Sequence, residues 1–204
     1  MKIELVTPAP AEVHTGNRTT ADRWARLLRE LGNEVGVRRD WSGAACDLLI
    51  ALHAKRSFPS IERFREAHPR IPLILALTGT DVYGDLEKSP EARRALEFAT
   101  RIVVLQELAV EALPESAQAK VRVIYQSAER PTISPPREAA CFQVCVLAHL
   151  RSVKDPLRAA YAVRDLPPSS RILSSTQEPL STRILAGKWR RSSARTRAIA
   201  GWGL

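Results

Sequence analysis

The sequence predicts an α/β protein built on a doubly wound parallel sheet. Short aliphatic runs recur along the chain, as strands covered on both faces require. Segments with helical spacing of apolar residues lie between them. Polar clusters follow the runs, at the carboxyl ends of the expected strands, where open α/β sheets bind ligands.

Lys2 to Thr7 (KIELVT) is expected as the first strand, closed by Pro8 and Pro10. A loop from Ala11 to Thr19 follows, and a helix should start near Thr19 or Thr20, whose hydroxyls can cap free N–H groups. Trp24, Leu27, Leu28 and Leu31 have the spacing of its apolar face, and Gly32-Asn33 ends it. Glu34 to Arg38 and Asp47 to Leu52 (DLLIAL) are the next strands. A helix over Ser60 to Ala67 turns Ile61 and Phe64 inward. Pro72 to Leu77 (PLILAL) is the fourth strand, and a helix with Pro90 at its first position runs to Phe98. Arg101 to Leu105 is the fifth strand; Gln106 then opens another helix, and Val121 to Tyr125 is the sixth strand. This first domain is expected over residues 1–130, with a proline-bearing linker at 131–140. Phe142 to Leu147 starts a second β-loop-α unit, with a helix beginning around Pro156. One such unit cannot bury a sheet, so the second domain, 141–174, reads as incomplete.

With 45% hydrophobic and 26% charged residues, the 204-residue composition is that of a globular protein. No leader peptide and no apolar run of membrane-spanning length are evident, so a soluble, cytoplasmic protein without a membrane partner is expected. Cys46, Cys141 and Cys145 are odd in number and lack a CxxC pair; buried free thiols are expected, with no metal site. The net charge of +9 is uneven. Arg171 to Leu204 hold seven Lys+Arg against Glu178 alone, which leaves +3 for the first 170 residues. Nucleic-acid binding would therefore rest on the tail, where Lys188-Trp189-Arg190-Arg191, Arg195 and Arg197 lie.

Four clusters carry candidate chemistry. Thr15-Gly16-Asn17-Arg18 precedes the first helix, where N–H groups and the helix dipole favour an anion; an ordinary βα turn has the same composition. It is not a GxGxxG fingerprint, so a nicotinamide cofactor is not supported. His53, Lys55 and Arg56 follow the third strand and suit a phosphate-like or carboxylate group, or a solvated turn. Thr78-Gly79-Thr80-Asp81 follows the fourth strand: glycine admits a ligand to the backbone, while threonine and aspartate supply polar contacts or a helix cap. Arg151 and Lys154, with His149, lie on a strand-to-helix loop suited to a diphosphate.

In order, KIELVTPAP, TGNRTTADRWARLL, CDLLIALHAKRS, PLILALTGTDVY, RIVVLQ, KVRVIYQSAE and VCVLAHLRSVKDP resemble the selenosugar synthase family of selenoneine biosynthesis. These are retaining glycosyltransferases of the GT-B type, family four. The resemblance covers residues 1 to 174. It implies two Rossmann-like domains, an acceptor-side N-terminal one and a donor-binding C-terminal one, and sugar transfer from a UDP-sugar such as UDP-N-acetylglucosamine to selenophosphate. The UDP-sugar and selenophosphate are the implied small-molecule partners, with no further cofactor. Thr15, Gly16, Asn17, Arg18, His53, Thr78, Gly79, Thr80, Asp81, Gln106, Gln126 and Ser127 would form the acceptor or anion side; no catalytic residue is assigned. His149, Arg151 and Lys154 would hold the donor diphosphate. Family-four enzymes carry G-R-L-x-x-x-K-G there; Lys154 matches its lysine and His149 stands where its arginine would be. The family's later glutamate pair has no counterpart before Leu204. Three alternatives remain: a sugar transferase with another acceptor, a non-catalytic anion- or nucleotide-binding Rossmann-like module, and a nucleic-acid binder that uses the basic tail; no nucleic-acid partner is expected.

From Ser175 onward the strand-loop-helix pattern is expected to stop, leaving 175–204 as an aberrant basic tail. A shifted GC-rich reading frame has this Arg-, Ser- and Trp-rich character. One choice of codons, read in another frame, yields an amphipathic helical peptide with an Asn-Pro turn. On that reading the chain is truncated near Ser175 and its activity impaired.

Overall fold

The computed structural model describes residues 1–12, 15–128, 141–147, 154–167 and 169–177. The expected linker at 131–140 and the tail beyond Gln177 lie outside the described residues. The chain divides into two compact units, Met1–Ala128 and Glu129–Leu204.

In the first unit β1 (Lys2–Val6), β2 (Glu34–Arg38), β3 (Leu48–Leu52), β4 (Leu73–Ala76), β5 (Arg101–Val104) and β6 (Val121–Val123) form a parallel sheet. Their order is β2-β1-β3-β4-β5-β6. Ile3 is in register with both Val35 and Leu48, Leu49 with Leu73, and Ile102 with Val121. This is a Rossmann-like α/β architecture. The direction of strand addition reverses between β1 and β3, which opens a crevice at their carboxyl ends.

Both faces of the sheet are apolar because both are covered. Strand side chains alternate between faces. Leu5, Ile50 and Leu52 pack on α1 (Gly16–Glu30), which buries Ala21 and Ala25. Leu49, Leu73, Leu75 and Ile102 face α2 (Phe58–Ala67) and α3 (Pro90–Phe98) on the other side, with the one-turn helices α4 (Leu108–Glu111) and α5 (Glu115–Gln118) beyond them. Ile61 and Phe64 are fully buried, as their spacing predicts.

Helix α1 departs from expectation at its start and on its face. It begins at Gly16, because Thr15 caps it: Arg18 N–H donates to Thr15 Oγ1 at 3.3 Å. The buried stripe runs through Ala21 and Ala25, flanked by half-buried Trp24 and Leu28; Leu27 is 41% and Leu31 78% exposed. Alanines let the helix sit close to the sheet, so the large leucines at the edge of the stripe stay outside. The end of α1 agrees with the sequence. Gly32 takes φ +81°, and Gly32 and Asn33 N–H groups donate to the Arg29 and Leu28 carbonyls, a Schellman closure.

Arg65 fastens the helix ends. Its Nη1 donates to the Pro69 and Ile71 carbonyls at 2.9 and 3.0 Å, and its Nη2 to the Phe98 carbonyl at 2.6 Å. One guanidinium thus satisfies carbonyls just past α2 and at the last residue of α3. Burial presses its pKa downward.

The second unit holds β7 (Phe142–Leu147), α6 (Arg158–Arg164) and β8 (Ile172–Gln177), with β7 and β8 parallel. Strand β8 continues through Ser175 to Gln177, so the regular pattern extends past Ser175 rather than stopping there. Parallel pairing supplies backbone partners that side-chain pattern alone does not announce. The cysteines divide: Cys46 is a buried thiol as expected, whereas Cys141 and Cys145 are exposed. Buried thiols require a covered strand, and among the described residues β7 pairs with β8 alone. No helix among the described residues is long and apolar enough to cross a membrane.

Replacing Arg65 with alanine should lower unfolding free energy by about 2 kcal/mol, since several carbonyls lose a charged donor. Arg65→Lys should recover only part of that, because an ammonium cannot span the same fork. Urea denaturation of both variants measures the difference.

Candidate functional site

The loops after β3 and β4 meet at the carboxyl edge of the sheet. His53 sits at the end of β3 with φ +73°, a conformation uncommon for a residue with a side chain. Its N–H donates to the Ala76 carbonyl at 2.9 Å and its carbonyl accepts from Ser57 N–H at 3.1 Å. The imidazole is 1% exposed.

Asp81 opens a π-helical turn, Asp81–Asp85, after β4 and is fully buried. Its Oδ2 accepts from Ala54 N–H at 2.9 Å. Its Oδ1 accepts from Thr78 N–H at 2.6 Å, Thr78 Oγ1 at 3.0 Å and Val82 N–H at 3.2 Å. The carboxylate therefore ties the β3 loop to the β4 loop. His53 Nδ1 lies 3.8 Å from Asp81 Oδ2, and His53 Nε2 lies 3.8 Å from Asp85 Oδ2 and 3.4 Å from Thr80 Oγ1.

Outside this buried pair the surface is polar and open. Gly79, Thr80, Lys55 and Arg56 are exposed. Lys55 Nζ pairs with Asp85 Oδ1 at 3.2 Å, while Arg56 has no ion pair among the described residues. Tyr83, 58% exposed, accepts a bond from Gln106 Nε2 at 2.7 Å. Tyr125 Oη donates to Glu107. A Cβ added at Gly79 or Gly16 would meet nothing within 4 Å, so packing requires glycine at neither position.

The sequence clusters thus separate by role. Thr78 and Asp81 are built into the loop junction, and Asp81 turns no atom to solvent. His53 lies beneath Thr80 rather than on the surface. Thr80, Lys55 and Arg56 form the accessible face, with Gln106 held against the π-helical turn. Thr15 is the cap of α1; Gly16, Asn17 and Arg18 form its first turn, where Arg18 Nε pairs with Asp22 at 2.8 Å. Gln126 and Ser127 are exposed after β6, and the Ser127 carbonyl accepts a bond from Arg23. In the second unit Lys154 is exposed; His149 and Arg151 lie outside the described residues. No cluster of metal-ligating side chains occurs among the described residues. Sequence reading passed over Tyr83, Asp85 and Tyr125. Their signal was present, since all follow apolar runs at the carboxyl edge.

No protein-family model and no curated protein matches the chain.

Burial dominates the electrostatics of the pair. Desolvation holds His53 below its ordinary 6.5, opposed by Asp81 and Asp85 and reinforced by Arg56 and Lys55. Desolvation raises Asp81 above 3.8, opposed by His53 and by the bonds from Ala54 and Thr78. Because the folded His53 resists protonation, its contribution to stability is present above about pH 6.5 and is lost as pH falls through the folded pKa. Asp81 has the opposite sign: its contribution is present below about pH 3.8 and is lost as pH rises through its raised folded pKa.

Thermal melts from pH 7.5 down to 5 should show the wild-type midpoint falling faster than that of His53→Gln. Equal slopes would exclude a buried neutral imidazole. Asp81→Asn should cost about 2 kcal/mol, because an amide NH2 meets backbone donors where a carboxylate oxygen accepted them. Denaturant titration measures that loss.

Proposed function

We propose that the first unit is the acceptor-side half of a GT-B-type glycosyltransferase, and that it presents selenophosphate to a UDP-sugar. The observation supporting this reading is the gathering of Lys55, Arg56, which has no ion pair among the described residues, and the Thr80 hydroxyl on one open edge, fixed from below by His53 and Asp81. An oxyanion acceptor calls for this combination: cations to offset its charge and a hydroxyl donor to orient it. The edge lies at the carboxyl ends of β3 and β4, next to the reversal of strand order.

In the proposed reaction the selenium of selenophosphate forms a bond to the anomeric carbon as the bond from that carbon to UDP breaks. The leaving diphosphate keeps the electron pair, and cations that meet it lower the barrier. The resemblance assigns that role to Lys154 with His149 and Arg151. Lys55 and Arg56 would serve the other reactant.

The chain should be incubated with selenophosphate and UDP-N-acetylglucosamine, both as it stands and with the alternative reading frame restored after Ser175. Sugar–selenium product is then measured by mass spectrometry. Product from the restored chain is the expected result. A well-folded restored chain that makes none would sink the selenosugar assignment, and phosphate binding without product would favour the non-catalytic anion-binding module.

A further inference from the structure

The hydroxyl of exposed Thr80 lies 3.4 Å from the buried His53 ring, and the bonding below it decides what that hydroxyl can do. Arg56 N–H points at His53 Nδ1 from 3.4 Å. A ring nitrogen that receives an N–H is an acceptor, so in the neutral imidazole the proton sits on Nε2. Asp81 does not compete for Nδ1 by a hydrogen bond: its Oδ2 accepts from Ala54 N–H and lies 3.8 Å from Nδ1, beyond hydrogen-bond reach. On the other side of the ring, Nε2 faces Thr80 Oγ1 at 3.4 Å, with Asp85 Oδ2 farther off at 3.8 Å.

We propose that Thr80 is a specificity-determining donor for an oxyanion, and that His53 and Asp81 are positioning residues that set its direction. Three steps connect the backbone to the ligand. Arg56 N–H donates to Nδ1; Nε2–H donates to Thr80 Oγ1; and the Thr80 hydroxyl hydrogen is left to point outward. A hydroxyl that accepts from below keeps its hydrogen free to donate above, which suits an acceptor. Phosphate-like oxygens satisfy that demand, and Lys55 and Arg56 supply positive charge beside them. Acidic groups also face this edge: Lys55 pairs with Asp85 at 3.2 Å and feels the Glu91 carboxylate, while Asp81 lies buried beneath. Burial favours the neutral ring that the relay needs. The left-handed backbone at His53 follows from the same arrangement, since it curls the 53–57 loop back until Arg56 N–H reaches the ring. This inference rests on the anion-binding reading given under Proposed function and specifies which group reads the anion.

Two measurements on the full chain test it. Long-range 15N–1H correlation spectra report the His53 tautomer without any ligand. Titration with inorganic phosphate, followed by calorimetry, reports binding in wild type, Thr80→Val and Thr80→Ser; Thr80 is exposed, so both variants should fold. The expected results are an Nε2–H tautomer, phosphate affinity lowered about tenfold or more in Thr80→Val, and affinity within about twofold of wild type in Thr80→Ser. An Nδ1–H tautomer would overturn the relay. Phosphate binding unchanged in Thr80→Val would overturn the role of Thr80 while leaving the anion-binding reading in place. No phosphate binding by the wild-type chain would overturn both.

Discussion

The carboxylate of Asp81 is the constraint on which the carboxyl edge of the sheet depends. A buried carboxylate is costly unless donors surround it. Here three backbone N–H groups and one hydroxyl do so, from Ala54, Thr78 and Val82. Their arrangement matters as much as their number. Ala54 belongs to the loop after β3, and Thr78 and Val82 to the loop after β4. Neither loop can move without leaving part of the carboxylate unpaired. The left-handed backbone at His53 and the π-helical turn are both uncommon conformations, and both lie within reach of this junction. Buried polar junctions of this kind are rigid when every member is satisfied.

Apart from Glu4, which sits in the middle of β1 and accepts bonds from Ser42, the strands are buried through aliphatic side chains and two polar devices stand at the ends of the sheet. At the carboxyl end an anion, Asp81, gathers N–H donors. Past the ends of α2 and α3 a cation, Arg65, gathers carbonyls. The two devices have opposite sign for one reason. Residues after parallel strands lead into helices, whose first N–H groups lack partners, while residues after helices lead back to strands and leave carbonyls unpaired. The carboxyl end is thus suited to negative charge and the other end to positive charge. An anionic ligand is in keeping with the first.

The second unit has little of this economy. Among the described residues its two strands and one helix leave Phe142 at 70% and Leu147 at 68% exposure. A parallel strand pair has two faces, and α6 is the one described helix to pack against them. Its candidate diphosphate residue, Lys154, is exposed and reaches no carboxylate within ion-pair distance among the described residues.

The sequence by itself determined the class of fold. Six aliphatic runs appeared in the structure as six parallel strands, with the inward residues of α2 and the glycine closure of α1 in place. These depend on local pattern and local backbone preference, which neighbouring residues carry. The tertiary structure decided matters that depend on distant neighbours. It set the start and buried stripe of α1, where alanines outrank leucines because the sheet lies close. It added β8, whose partner strand is 30 residues away in register, as Phe142 with Ile172 shows. At the carboxyl edge, residue types pointed to the loops after β3 and β4, which the fold brings together, but not to which of their side chains are buried. His53 and Asp81 looked like ligand contacts, since a polar residue after a strand is ordinarily exposed. Their partners, 27 residues apart in the chain, turn them inward and leave Thr80 to face the solvent.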